Sequence, residues 1–130
     1  TPPAEPRRFS ARFFLCQVAH DQMASHDQHE TTDGLWISPN DALRDYAAGR
    51  FMTAPPTLRV LEQMARCSSL SEAIAAATHQ PQTVQAPRFA HDGDIMCLVL
   101  PGDPLHPTEP GQMKARFELR ENRWFTVMNA

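Results

Sequence analysis

The residues best suited to chemistry crowd into one polar stretch, HDQMASHDQHETTD, from position 20 to 33. His20, Asp21, His26, Asp27, His29 and Glu30 bring imidazoles and carboxylates together. Such groups are good ligands for zinc or manganese. His26-x-x-His29-Glu30 is the densest part. Its spacing matches no firm zinc signature, and a solvated polar loop is the plainer explanation for the histidines. Arg7, Arg8 and Arg12 form a second group. Their planar guanidinium forks suit phosphate oxygens, although arginines also close strand ends against solvent. Other chemistries lack their residues. No cysteine has a partner at CxxC spacing, and no Gly-x-Ser-x-Gly stretch supplies a serine nucleophile. Gly102 in LPGDP is not a phosphate loop, because no Gly-Lys-Ser/Thr follows it.

The elements around these groups can be read from pattern. Phe9 to Ala19 alternates, with Phe9, Ala11, Phe13 and Leu15 on one side. Its other side also turns apolar, at Phe14, Cys16 and Val18. A strand apolar on both sides belongs inside a sheet covered on both faces, with Phe13 and Leu15 buried. Leu35 to Ile37 reads as a short strand anchored by Trp36. Ser38 then stands as an N-cap, Pro39 at the first helical position and Asp41 three residues on. Ala42, Leu43, Tyr46 and Ala47 share a face, and Gly49 ends that helix as a left-handed cap. Pro55-Pro56 opens a second helix with Leu58, Leu61, Met64 and Ala65 as its apolar positions. Ser69-Leu70-Ser71-Glu72 is a capping box before a third helix, ending near His79. Val84 to Phe89 and Ile95 to Leu100 flank the turn pair Asp92-Gly93. Lys114 to Leu119 and Trp124 to Val127, joined by residues 120–123, predict a second hairpin.

Composition narrows the class. The 130 residues suffice for one domain with a core. A net charge of −3 provides no basic field for nucleic acid or an anionic membrane. No apolar run approaches the length of a membrane span. Cys16, Cys67 and Cys97 are odd in number and far apart, which fits reduced thiols in a cytoplasmic protein.

Several of these stretches together resemble a known family. A Trp, a polar step, a Pro, then "-AL-", a Gly and a Pro-Pro-Thr helix is similar to the post-catalytic part of Nudix hydrolases. The nearest branch holds the peroxisomal coenzyme A diphosphatase and its bacterial relatives. The likeness runs upstream through PRRFSARFFLC and HDQHET, and more weakly downstream to LVLPGDPLHP. The Nudix box, G-x5-E-x7-R-E-x-x-E-E-x-G, is missing. Arg120-Glu121 is followed by Asn122 and Arg123 rather than by paired glutamates. Ser10-Ala11 stands where many relatives have Asp-Thr.

The resemblance implies a fold of α/β class, a partial Nudix-type α/β/α sandwich with a C-terminal β-hairpin extension. Residues 1–79 would be the Nudix-like portion and residues 80–130 the extension. It implies hydrolysis of a nucleoside-diphosphate-linked small molecule, such as coenzyme A or acyl-coenzyme A, by metal-assisted attack of water with Mg2+ or Mn2+. Glu30 would be a metal ligand or general base, with Asp27 and His29 as weaker ligands and Arg8 and Arg12 on the diphosphate. The box would precede Thr1, and these 130 residues alone would be inactive. An apolar face would then stand uncovered, or be covered by a second copy in a homodimer. The rival readings are a non-catalytic module on a Nudix scaffold and a small metal-binding protein built on the histidine loop.

Overall fold

The computed structural model describes residues 10–23, 25, 34–79, 84–107 and 115–128. Three helices come first: α1 (Pro39–Ala47), α2 (Pro55–Ala65) and α3 (Leu70–His79). Four strands follow: β1 (Arg88–Asp92), β2 (Ile95–Val99), β3 (Ala115–Arg120) and β4 (Arg123–Met128). The fold is of α/β class, with helices and strands segregated along the chain. It divides into two compact units. One holds the sheet and residues 54–59; the other holds residues 13–53 and 60–80.

Local chemistry sets the helix ends. Ser38 is extended, at φ −71 and ψ 150, and its Oγ accepts the Asp41 N–H at 3.1 Å. That satisfies one of the first four amides, which have no partner inside the helix. Gly49 closes α1 at φ 73, its N–H bonded to the Tyr46 carbonyl. Ala42 and Tyr46 are buried, and the Tyr46 ring meets Phe51 at 6.0 Å. In α2 the Leu58 N–H bonds the Ala54 carbonyl, and Pro55 and Leu58 are buried. At α3 the Glu72 N–H bonds Ser69 Oγ at 3.2 Å. The Glu72 carboxylate does not turn back to Ser69, as a capping box would have it. It accepts from the N–H and the hydroxyl of Ser68, both at 2.7 Å. Those bonds hold its pKa below the ordinary value of 4.5.

The two expected hairpins join into one antiparallel meander, in the order β1-β2-β3-β4. β2 and β3 pair through Cys97–Glu118, Leu98–Phe117 and Val99–Arg116. Asp92 pairs with Ile95, so the first loop is Gly93-Asp94, one residue later than the sequence reading placed it. Gly93 has φ 60. A Cβ there would meet open space, so the backbone angle alone calls for glycine. In the second hairpin Arg120 pairs with Arg123. Its loop shrinks to Glu121-Asn122, at φ 48 and 61. Positive φ at both central residues is the type I′ requirement, and it matches the right-handed twist of the strands. Cys97 and Val99 are buried on one face of the sheet, Leu98 and Phe117 on the other. Phe89 of β1 and Trp124 of β4 lie on opposite edge strands, yet their ring centroids are 6.5 Å apart. Three strand spacings would separate flat edges by about 14 Å, so the sheet curls and the rings lean inward over it.

Two expectations are overturned. Residues 10–19 form no strand, and all are exposed; Phe13 is 58% exposed and Phe14 85%. Leu35–Ile37 is likewise outside any strand, with Trp36 68% exposed. A strand exists only with a neighbour to take its N–H and C=O groups. Among the described residues, none pairs with either segment. The covered central positions belong to β2 and β3 instead.

Phe117→Ala should therefore cost about 3–5 kcal/mol in urea unfolding, the usual loss for a buried aromatic ring. Phe13→Ala in this chain should stay within about 0.5 kcal/mol, as exposed substitutions do. The start of α3 should also depend on pH. Because the Glu72 pKa is lowered by folding, its contribution is complete above 4.5 and is lost as pH falls through the folded value. Amide exchange at the first turn of α3 should speed up in acid, and Glu72→Gln should remove that dependence.

Candidate functional site

Within the unit that holds residues 13–53 and 60–80, two irregular segments and a helix start enclose an open hollow of about 770 Å³. Cys16 to Met23 form one wall, Gly34 and Trp36 another, and Leu70 of α3 closes the third side. Val18, Met23, Trp36 and Leu70 give it an apolar lining, with His20 and Asp21 as polar groups. All of these residues are exposed. The arrangement suits recognition of an apolar group. Among the described residues, no cluster of three His, Cys, Asp or Glu that could hold a metal ion occurs.

The sheet unit contains a different cluster, which the sequence reading missed. After β2 the chain turns at Gly102, which has φ 107. The turn carries Asp103 into the interior, where its side chain is fully buried. Asp103 Oδ2 accepts from Arg116 Nε at 2.8 Å, and Oδ1 from Arg116 Nη2 at 3.3 Å. Oδ1 also accepts the Leu105 N–H at 2.9 Å. The third nitrogen of Arg116, Nη1, reaches Asp92 at the end of β1. His106 is buried too, and its Nε2 lies 2.9 Å from the Ala86 carbonyl, so that nitrogen carries the proton and donates it. Burial alone would lower the Arg116 pKa. The bonds to Asp103 and Asp92 outweigh it and hold the guanidinium above its ordinary value. Asp103 spends its lone pairs on Arg116 and Leu105, and has no access to solvent. It is therefore a clasp between loop and strand rather than a general base. Arg116, already forked onto two carboxylates, is no anion receptor. No sequence signal discloses it: in ARFELR charged residues alternate with apolar ones, the pattern of a strand with one solvated face.

Of the residues read as catalytic or ligand-binding, Arg12, His20 and Asp21 are described; all three are exposed and outside any helix or strand. Glu30, Asp27, His29 and Arg8 lie outside the described residues.

Comparison with known proteins gives two curated relatives. The acyl-coenzyme A diphosphatase NUDT19 of Xenopus laevis is 29% identical over 107 residues, covering 80% of this chain and 28% of the relative. The acyl-coenzyme A diphosphatase NUDT19 of Gallus gallus is 28% identical over 110 residues, covering 80% and 29%. The chain thus spans less than a third of the curated relatives it matches. No family model matches it. No solved structure matches it either.

The clasp makes a test of its own. Asp103→Ala strands a buried guanidinium and frees the Leu105 amide, and should cost about 3–5 kcal/mol in chemical denaturation. Asp103→Asn keeps an acceptor for Leu105 and should cost less. Equal losses from the two would show that the Leu105 bond contributes nothing.

Proposed function

From its likeness to the Nudix hydrolases of the coenzyme A diphosphatase-like branch, shared by the two curated relatives, we propose that the chain is part of a diphosphate hydrolase. Its substrate is a nucleoside-diphosphate-linked small molecule, with coenzyme A or acyl-coenzyme A the nearest candidates. The match of 107 residues to the Xenopus laevis enzyme carries this reading. On it, residues 1–79 contribute to a Nudix-type α/β/α sandwich and residues 80–130 form a β-rich extension. The three free thiols fit a reducing compartment such as the cytoplasm. The described residues include no helix long and apolar enough to cross a membrane.

The chemistry divides between this chain and a Nudix box that its 130 residues do not contain. The box would hold Mg2+ or Mn2+, which lowers the pKa of bound water and draws charge off the diphosphate. The described residues offer no metal cluster of their own. This chain's own contribution would be Glu30 as base or additional ligand, with Asp27 and His29 as lesser ligands. Arg8 and Arg12 would neutralise diphosphate oxygens. A carboxylate beside the attacking water orients it and accepts its proton.

Glu30→Gln should lower kcat by about 10²–10⁴-fold, the usual contribution of a general base. The assay needs a polypeptide that includes the box, saturating Mg2+ and acyl-coenzyme A. Unfolding should be nearly unchanged. Full activity in Glu30→Gln would remove this role and pass it to Asp27. Absence of hydrolysis in the unmutated, box-containing protein would favour a non-catalytic scaffold.

A further inference from the structure

We propose that the curled sheet holds a slot for one flat heteroaromatic ring with a polar edge, such as the base of a nucleoside, between Phe89 and Trp124. The slot is argued from the sheet alone and does not rest on the hydrolase reading.

Register places its parts. Phe89 pairs with Leu98, Leu98 with Phe117 and Phe117 with Thr126, so these four form one row on one face. Trp124 is two residues from Thr126 on β4 and shares that face. Leu98 and Phe117, both buried, make the floor. Phe89, 37% exposed, and the half-buried Trp124 stand over it from the two edge strands. Their centroids are 6.5 Å apart and their planes are inclined at 33°. Two rings packed for their own sake stack with an offset or meet edge to face. An inclination of 33° is far from edge to face, and 6.5 Å is wide for a stack. A flat ring set between two others needs van der Waals distance on each side, about 7 Å in all. The pair stands within about half an ångström of that opening. Its tilt is open to correction, because the torsion that turns an aromatic ring is soft.

Thr126 supplies an independent observation. Its Oγ1 is buried and has no hydrogen-bond partner among the described residues. A buried hydroxyl left unanswered costs free energy that a valine in its place would avoid. Because a hydroxyl both donates and accepts, a ring nitrogen or an exocyclic amine on a guest would answer it. That requirement selects the guest. A saturated chain has no π face to offer the two rings, and a hydrocarbon ring leaves Thr126 unanswered. A polynucleotide fits less well. No strand residue on this face is Lys or Arg, so nothing there meets a phosphate backbone.

Adenosine is the probe. It is titrated into the intact 130-residue chain carrying Trp36→Phe, which leaves Trp124 as the only indole. Stacking should quench Trp124 fluorescence saturably, and ribose should not. Phe89→Leu removes one wall and should weaken adenosine binding about tenfold, as loss of a stacking side chain does. Thr126→Val should weaken it about three- to tenfold, the worth of one hydrogen bond. The free Thr126→Val chain should unfold at the same urea concentration or a higher one. A hydroxyl that merely packs there would give the same stability and leave affinity unchanged. Absence of quenching, equal quenching by ribose, or unchanged affinity in Thr126→Val overturns the slot. Should Phe89→Leu unfold the chain, Thr126→Val still decides. Adenosine carries no diphosphate, so its failure to bind removes the slot and leaves the hydrolase reading standing. A box-containing protein that binds adenosine and hydrolyses nothing does the reverse.

Discussion

A guanidinium in the interior of a sheet is the constraint on which the β unit turns. Arg116 is nine-tenths buried on β3. Taking such an ion out of water costs several kcal/mol unless charge and hydrogen bonds answer it. The answer comes from two places far apart in sequence. Asp92 lies at the end of β1, and Asp103 in the loop between β2 and β3. Meeting that demand fixes where the loop must lie and brings the far end of β1 within reach. His106 then ties the same loop to Ala86, just ahead of β1. Apolar burial at Val99 and Phe117 gives the unit cohesion, but it is non-directional. The charged clasp has a direction, so it selects one arrangement of loop and strands.

Features set by neighbours in sequence were legible. Ser38 with Pro39, Gly49, Pro55-Pro56 and Ser69 each mark a helix end through bonds that span three or four residues. Their positions followed from residue type. The hairpin turns were legible almost to the residue, since Gly93 and Asn122 supply the positive φ that tight turns require. The misreadings concern Phe9 to Ala19 and Leu35 to Ile37. Their composition records a tendency to pair and to be buried, while pairing needs a second segment that composition cannot name. The same limit hid the Asp103–Arg116 pair, whose members are 13 residues apart. Glu72 shows a smaller form of it. The capping residue was right, but the carboxylate found two donors on Ser68 where a capping box offers one on Ser69.

The site was legible as an inventory and not as an arrangement. His20 and Asp21 were read as the upstream members of a candidate metal loop, with a solvated loop the plainer explanation, and the structure sets them in an apolar hollow beside Trp36 and Leu70. Polar residues in a loop say nothing about the apolar residues that fold brings next to them. Trp36, read as a core anchor, instead borders that hollow in the open.

The acids of the described residues bear on how chemistry is shared. Asp41 is paired with Arg44, Asp45 with Arg50, and Glu118 with Arg120. Glu72 is held by Ser68, and Asp92 and Asp103 by Arg116. A carboxylate that takes protons from water or holds a divalent ion needs open lone pairs and a route to solvent. These six have committed theirs to helix caps, ion pairs and the clasp. For these six, acidity has been spent on architecture; Asp21, Glu62, Asp94 and Glu121 are the other acids of the described residues. On the proposed hydrolase reading, the carboxylates that converge on a metal are therefore sought outside these six, with Glu30 the first candidate.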